Sequence, residues 1–205
     1  MDNLSVNCHS SICINGNIYV DPFKINTKLN NAKIVFITHS HYDHLDMGSI
    51  KNVINNQTII VCTADSAKIL EEENINNQIV VVEPNKSYEV QNIKFSTFPA
   101  YNVGHHHFLS LGFVGYTIVL NGVSYTICGD TDATEELKKI KTDVLFVPIG
   151  GTYTMNALEA ANLTNIIKPK MVVPVHYNCI VGSKEDEKVF VQNVDKQIKV
   201  KILVK

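Results

Sequence analysis

Apolar positions in this chain follow two rhythms, an alternation of period two in some stretches and short unbroken runs in others, and turn residues punctuate both. Residues 4–14 and 17–20 flank Asn15-Gly16, the dipeptide that best tolerates the positive φ of a type I′ turn, and predict a hairpin. The apolar run 32–38 predicts a buried strand that leads into His39-Ser40-His41-Tyr42-Asp43-His44. A short helix over 47–54, a strand over 58–62 and a helix over 64–73 follow, the last with Thr63 or Asp65 placed to cap it.

The rest of the chain repeats that order. Residues 88–90 and 93–98 predict one hairpin, and 115–120 and 123–128 another, again joined by Asn-Gly at 121–122. Between them the loop 99–111 holds three consecutive histidines. A buried strand over 144–148, the Gly150-Gly151 loop, and a helix whose Asn156 and Glu159 have capping-box spacing come next. Ala160, Leu163 and Ile167 share one face of that helix, and a buried strand over 171–175 ends at His176.

Both halves thus show a hairpin closed by Asn-Gly, an Asp just past its second arm (Asp21, Asp130), a buried strand, a polar loop, a helix and a further strand, which reads as an internal duplication. Two such halves packed sheet on sheet predict an α/β fold, a four-layer αββα sandwich of two mixed sheets with helices on the outer faces. No linker, low-complexity tract or Pro-rich stretch marks a boundary within residues 1–205, so a single domain is expected.

With 205 residues, 45% of them hydrophobic, the chain has the material for one sizeable core and is too apolar for intrinsic disorder. Apolar runs such as 79–82 and 171–175 fall far short of the ~20 residues that span a bilayer, so no membrane span is expected. Met1-Asp2-Asn3 lacks the basic start of a secretory leader. All eighteen basic residues are Lys and lie scattered among Asp and Glu at a net charge of −2, so bidentate Arg contacts are missing and nucleic acid is a poor partner. The five cysteines are odd in number, widely spaced and form no C-x-x-C, which suggests neither a disulfide framework nor a thiolate zinc knuckle and fits a reducing cytoplasm. Nothing in the sequence fixes an oligomeric state.

The eight histidines carry the chemistry. Apart from His9, which is ambiguous, none falls inside a predicted helix or mid-strand; most sit where α/β folds place ligands, at strand ends. In an extended segment His39 and His41 point the same way and can reach one cation, while a turn at Tyr42 sends Asp43 and His44 toward a second. Imidazole and carboxylate hold zinc while leaving a position open for water. The competing reading is a polar surface loop with incidental histidines, and four ligand-type residues at this spacing after a buried strand argue against it.

The segment HSHYDH resembles the H-x-H-x-D-H signature of the metallo-β-lactamase superfamily, and GDTD (129–132) and PVHYN (174–178) occur in the matching order. More narrowly, His9-Ser10-Ser11, Val20-Asp21-Pro22, PAYN (99–102), VGY (114–116), PIGGTYTM (148–155) and IIKPK…PVHY resemble small metal-dependent hydrolases related to the ascorbate-6-phosphate lactonase group. The resemblance implies a two-metal hydrolytic site in which His39 and His41 bind the first ion with a loop His, Asp43 and His44 bind the second with His176, and Asp130 bridges. His107 best matches the loop His of the PAYN group, with His105 the alternative, whereas related families place a His at the Asn102 position. Cys8 stands where relatives usually have Gly and Ile127 where they usually have His; both lie among the groups that orient ligands.

Implied with this is hydrolysis of a small ester, lactone or phosphodiester by water or hydroxide shared between two Zn2+ ions, with Mn2+ or Fe as other candidates. The leaving group needs a proton, which Asp43 or His9 can relay. Asp132 either orients a ligand or caps the next segment, and Gly150-Gly151 either turns backbone N–H groups toward an anion or simply makes a turn. Two other classes compete. A di-iron redox enzyme is disfavoured by His41, where flavin-coupled relatives carry a carboxylate, and a non-catalytic metal-binding module is disfavoured by the retained ligand set.

Overall fold

A computed structural model describes residues 3–104 and 106–204, and these fall into two units that divide between residues 82 and 83. In the first, strands β1 (Leu4–Val6), β2 (Ile12–Ile14), β3 (Ile18–Val20), β4 (Ile34–Phe36), β5 (Ile59–Cys62) and β6 (Gln78–Val81) form a sheet in that order. The pairs β1/β2 and β2/β3 are antiparallel, and those from β3 to β6 are parallel. Helix α1 (Met47–Val53) links β4 to β5, and α2 (Ala64–Glu72) links β5 to β6.

The second unit repeats the plan with one more strand. Strands β7 (Ser87–Val90), β8 (Ile93–Pro99), β9 (Val114–Leu120) and β10 (Val123–Ile127) form an antiparallel meander, and β10, β11 (Val144–Pro148), β12 (Met171–Val175) and β13 (Lys199–Val200) continue it in parallel. Helix α3 (Ala157–Ile167) links β11 to β12, and α4 (Lys184–Asn193) links β12 to β13. Both sheets are therefore mixed. The expected duplication holds strand for strand, with β3 to β6 answering to β10 to β13, α1 to α3 and α2 to α4.

The inner parallel strands β4, β5, β11 and β12 read as apolar runs, as strands buried on both faces do. Every residue of β4, β5, β11 and β12 is buried. In the first unit Val35, Ile37, Ile60 and Cys62 gather with Ile50 and Val53 of α1 and Ala67 and Leu70 of α2 in one apolar cluster. Burial of a side chain such as Leu70 stabilises by roughly 1.5–3 kcal/mol. In the second, α3 buries Ala160, Ala161, Leu163 and Ile167 and packs on β11 and α4.

Both Asn-Gly turns have the two positive φ values of type I′, 55° and 75° at Asn15-Gly16 and 50° and 78° at Asn121-Gly122. Helix α3 starts in the expected capping box of Asn156 and Glu159. Thr63 takes the N-cap position of α2 without a side-chain cap bond, because its hydroxyl pairs with Ser66 Oγ at 2.8 Å.

One reading needs correction, and two elements go beyond those the sequence predicts. Residues 4–14 are two strands, not one, since Asn7 N donates to Ser11 O and Ser11 N to Cys8 O, both at 2.9 Å, closing a turn with His9 at its tip. Residues 78–81 form a short edge strand. Residues 184–193 form a helix that the charged sequence KEDEKVFVQN hides, although Ser183 and Asp186 make a capping box and Phe190 is its buried anchor. No described helix is long and apolar enough to cross a membrane.

Candidate metal centre

In the first unit the donors gather on a buried carboxylate that the sequence alone does not reveal as an organiser. Asp21 follows β3 at φ 46°, fully buried, and one oxygen accepts the N–H of Thr38 at 2.8 Å. Its other oxygen accepts the Thr38 hydroxyl at 2.7 Å and His44 Nδ1 at 2.8 Å. A hydroxyl that gives its proton to Asp21 presents a lone pair to its next neighbour, here His39 Nδ1 at 3.0 Å. Both Nδ1 atoms thus act as donors, and His39 and His44 each turn Nε2 outward as a lone pair, the form in which imidazole binds a cation. Burial pushes the Asp21 carboxyl above its ordinary range, opposed by His44 and Thr38.

The turn expected at Tyr42 is present, with the N–H groups of His44 and Leu45 both reaching His41 O, at 2.9 and 2.8 Å. His39 Nε2 lies 3.1 Å from Nδ1 of His41, which is exposed. Asp43 Oδ2 lies 3.1 Å from His9 Nε2 and 3.6 Å from His44 Nε2. His9 reaches Asp43 from the left-handed tip of the 7–11 turn, at φ 58°. A non-Gly residue there is sterically costly and clusters at functional positions.

In the second unit the donors come from three loops. His176 ends β12 at φ 57°, and its Nε2 lies 3.1 Å from Asp130 Oδ1; both side chains are buried. Gly150 passes against the His176 backbone so closely that a Cβ would overlap the His176 carbonyl oxygen, which identifies Gly150 as a requirement of packing. His107 is buried, its ring 5.7 Å from Phe113 and 6.1 Å from Tyr153. The His106 ring meets that of Tyr153 at a 57° tilt with centroids 3.9 Å apart, and the alternative ligand His105 lies outside the described residues. Asp132 does not cap the next segment with its side chain. It holds the His107 loop, accepting Asn102 Nδ2 at 2.9 Å and Val103 N at 2.8 Å. Ile127 is an apolar core residue at the end of β10.

These pairs suit a divalent cation. Two donors at ~2.0–2.1 Å from one ion in tetrahedral geometry lie about 3.3 Å apart. His39/His41, His9/Asp43, Asp43/His44 and Asp130/His176, at 3.1 to 3.6 Å, sit near that edge length, and all donors are imidazole or carboxylate. Sequence reasoning found these ligand-type residues. It missed the Asp21–Thr38 network behind them, whose one signal was the alignment of Asp21 with Asp130 in the duplicated halves.

A family model described as a beta-lactamase superfamily domain matches residues 4–176. A UPF0173 metal-dependent hydrolase of Sulfurisphaera tokodaii is 31% identical over 87% of this chain and 80% of its own. Another, from Pyrococcus furiosus, is 29% identical over 95% and 93%. A crystal structure of a protein from Parabacteroides distasonis superposes with a TM-score of 0.82 at 27% identity, covering 100% of this chain and 94% of that one.

Proposed function

We propose, from the premise that this chain belongs to the β-lactamase superfamily and within it to the UPF0173 metal-dependent hydrolases, that it hydrolyses a small ester, lactone or phosphodiester at a two-metal centre. The observation that carries this reading is the set of donor pairs at 3.1 to 3.6 Å, backed in the first unit by Asp21 and Thr38. The proposed ligands are those the sequence implies: His39, His41 and His107 for one ion, Asp43, His44 and His176 for the other, and Asp130 for both. Zinc suits imidazole and carboxylate ligands, as do manganese and iron. When bound, such ions supply Lewis acidity that lowers the pKa of water and polarises the scissile centre.

The protein's own groups do the rest. Asp21 and Thr38 hold His39 and His44 in one tautomer and orientation, so no reorganisation is needed on binding. The His9–Asp43 pair at 3.1 Å forms a short relay able to hand a proton to a departing group, His9 acting through a carboxylate that is itself a proposed ligand.

The decisive experiment adds defined metals back to apo-protein and screens lactones, esters, phosphodiesters and β-lactams. Turnover of one class that requires metal and is lost in His39→Ala supports the reading. Metal stoichiometry that stays at zero under loading, with all ligands intact, sinks it.

A further inference from the structure

We propose that Asn102 and Asp132 form a positioning clamp that fixes the backbone of His107 and thereby sets it as a metal donor; this rests on the reading of His107 as a ligand. Asn102 and His107 are bonded to each other twice, by Asn102 N donating to His107 O at 2.8 Å and by His107 N donating to Asn102 Oδ1 at 3.2 Å. Asn102 is 2% exposed, and its side chain is committed on both ends: the carbonyl takes the His107 amide, and Nδ2 donates to Asp132 Oδ1 and to the Tyr153 carbonyl at 3.0 Å.

Only an amide can do this at position 102, since it must give protons to a carboxylate and a carbonyl while accepting one from a backbone N–H. Asp132 in turn needs acceptor oxygens on both sides, one for Asn102 and one for Val103 N at 2.8 Å. The order of constraint runs from Asp132 through Asn102 to His107.

The clamp also ties two donor loops together. Asp132 lies two residues beyond Asp130, and its N–H reaches Tyr101 O at 3.0 Å. Thr131 Oγ1 accepts Tyr101 N at 3.2 Å and bonds Tyr101 O at 3.1 Å. The loop of His107 and the loop of Asp130 are thus laced residue against residue over 101–103 and 131–132, and the clamp spaces one donor against the other.

Binding of Zn2+ or Co2+ alone, in competition with a chelator and with the Co2+ absorption spectrum recorded, tests this on Asn102→Asp, Asp132→Asn, the double exchange Asn102→Asp/Asp132→Asn, His107→Ala and Tyr101→Phe. Each single exchange is expected to weaken one ion by roughly tenfold or more and alter the Co2+ spectrum, because it sets two acceptors, or two donors, face to face. The double exchange reverses donor and acceptor between positions 102 and 132 and keeps an acceptor for His107 N, but it leaves a carboxylate facing the Tyr153 carbonyl, so it should recover only part of the loss. Tyr101→Phe removes a hydroxyl bonded only to Glu136 from the same loop and should leave affinity unchanged. If His107→Ala weakens binding but Asp132→Asn, or the double exchange relative to Asn102→Asp, behaves otherwise, the clamp is overturned and the ligand survives. If His107→Ala binds both ions as well as the parent chain, the ligand reading itself fails.

Discussion

The two units answer to each other strand for strand, yet they place their donors at different stations. After β3 and β10 comes an Asp in each: Asp21 is enclosed by Thr38 and His44, whereas Asp130, three residues past β10 and after Gly129 at φ 66°, faces His176. After β4 comes the ligand-rich turn at 39–44, while after β11 the matching loop carries Gly150-Gly151 and runs on to the cap of α3. After β5 the chain enters α2 directly from Thr63, and after β12 it inserts His176 and several further residues before α4. One topology thus offers three equivalent strand ends, and which of them carries a ligand depends on what each side chain is already bonded to. A carboxylate whose two oxygens take the Thr38 N–H, the Thr38 hydroxyl and His44 Nδ1 becomes a support; one that meets the Nε2 of His176 becomes a ligand candidate.

Changing the two equivalent carboxylates breaks this comparison most sharply. Asp130→Ala should abolish turnover on any substrate found and lower metal content, measured by elemental analysis alongside kinetics. Turnover at the parent rate would move the chemistry elsewhere. Gly150→Ala should come next, because its Cβ cannot be accommodated without displacing the His176 backbone; a loss of metal affinity comparable to His176→Ala, with the fold retained by circular dichroism, is the expected result. Asp21→Asn should weaken metal binding about 10- to 100-fold and leave residual turnover, the usual size of effect for a group that orients a ligand. Equal effects of Asp21→Asn and Asp130→Ala would erase the distinction between support and ligand.

The smallest effect concerns acid stability in the second unit. The Lys170 ammonium at 2.8 Å, then the Ser124 N–H and hydroxyl, hold the Asp143 carboxyl down to about 2. A lowered folded pKa contributes stability above the unfolded value near 4, and that contribution disappears as pH falls from about 4 to about 2. Asp143→Asn should therefore lower the urea midpoint slightly at pH 7 and hardly at all at pH 2, and added salt should shrink the difference because Lys170 is exposed. A difference that grows toward low pH would contradict the assignment.

Local signals carried much of this molecule. Asn15-Gly16 and Asn121-Gly122 declare their turns because few other dipeptides accept two positive φ values, and HSHYDH declares its donors because spacing and residue type coincide in six positions. What was hidden depends on residues distant in sequence. Asp21 looked like one more hairpin-end Asp until Thr38 and His44, 17 and 23 residues away, closed around it. Asp132 reads equally as turn chemistry or as an orienter until Asn102, 30 residues before it, appears at 2.9 Å. Helix α4 was invisible for another reason: its stability comes from two capping residues and Phe190, while its charged surface gives no apolar period to read.

His9 and His176 hold their rings where they do by accepting a backbone conformation that favours glycine. Each such residue costs on the order of 1 kcal/mol relative to a relaxed backbone. Directed evolution of this scaffold for heat resistance alone would thus feel a pull toward glycine at positions 9 and 176, and every variant that yielded to it would have traded a candidate-site histidine for a relaxed backbone. Selection rounds that alternate thermal challenge with metal retention should keep both histidines and find their gains instead on exposed faces such as that of α4.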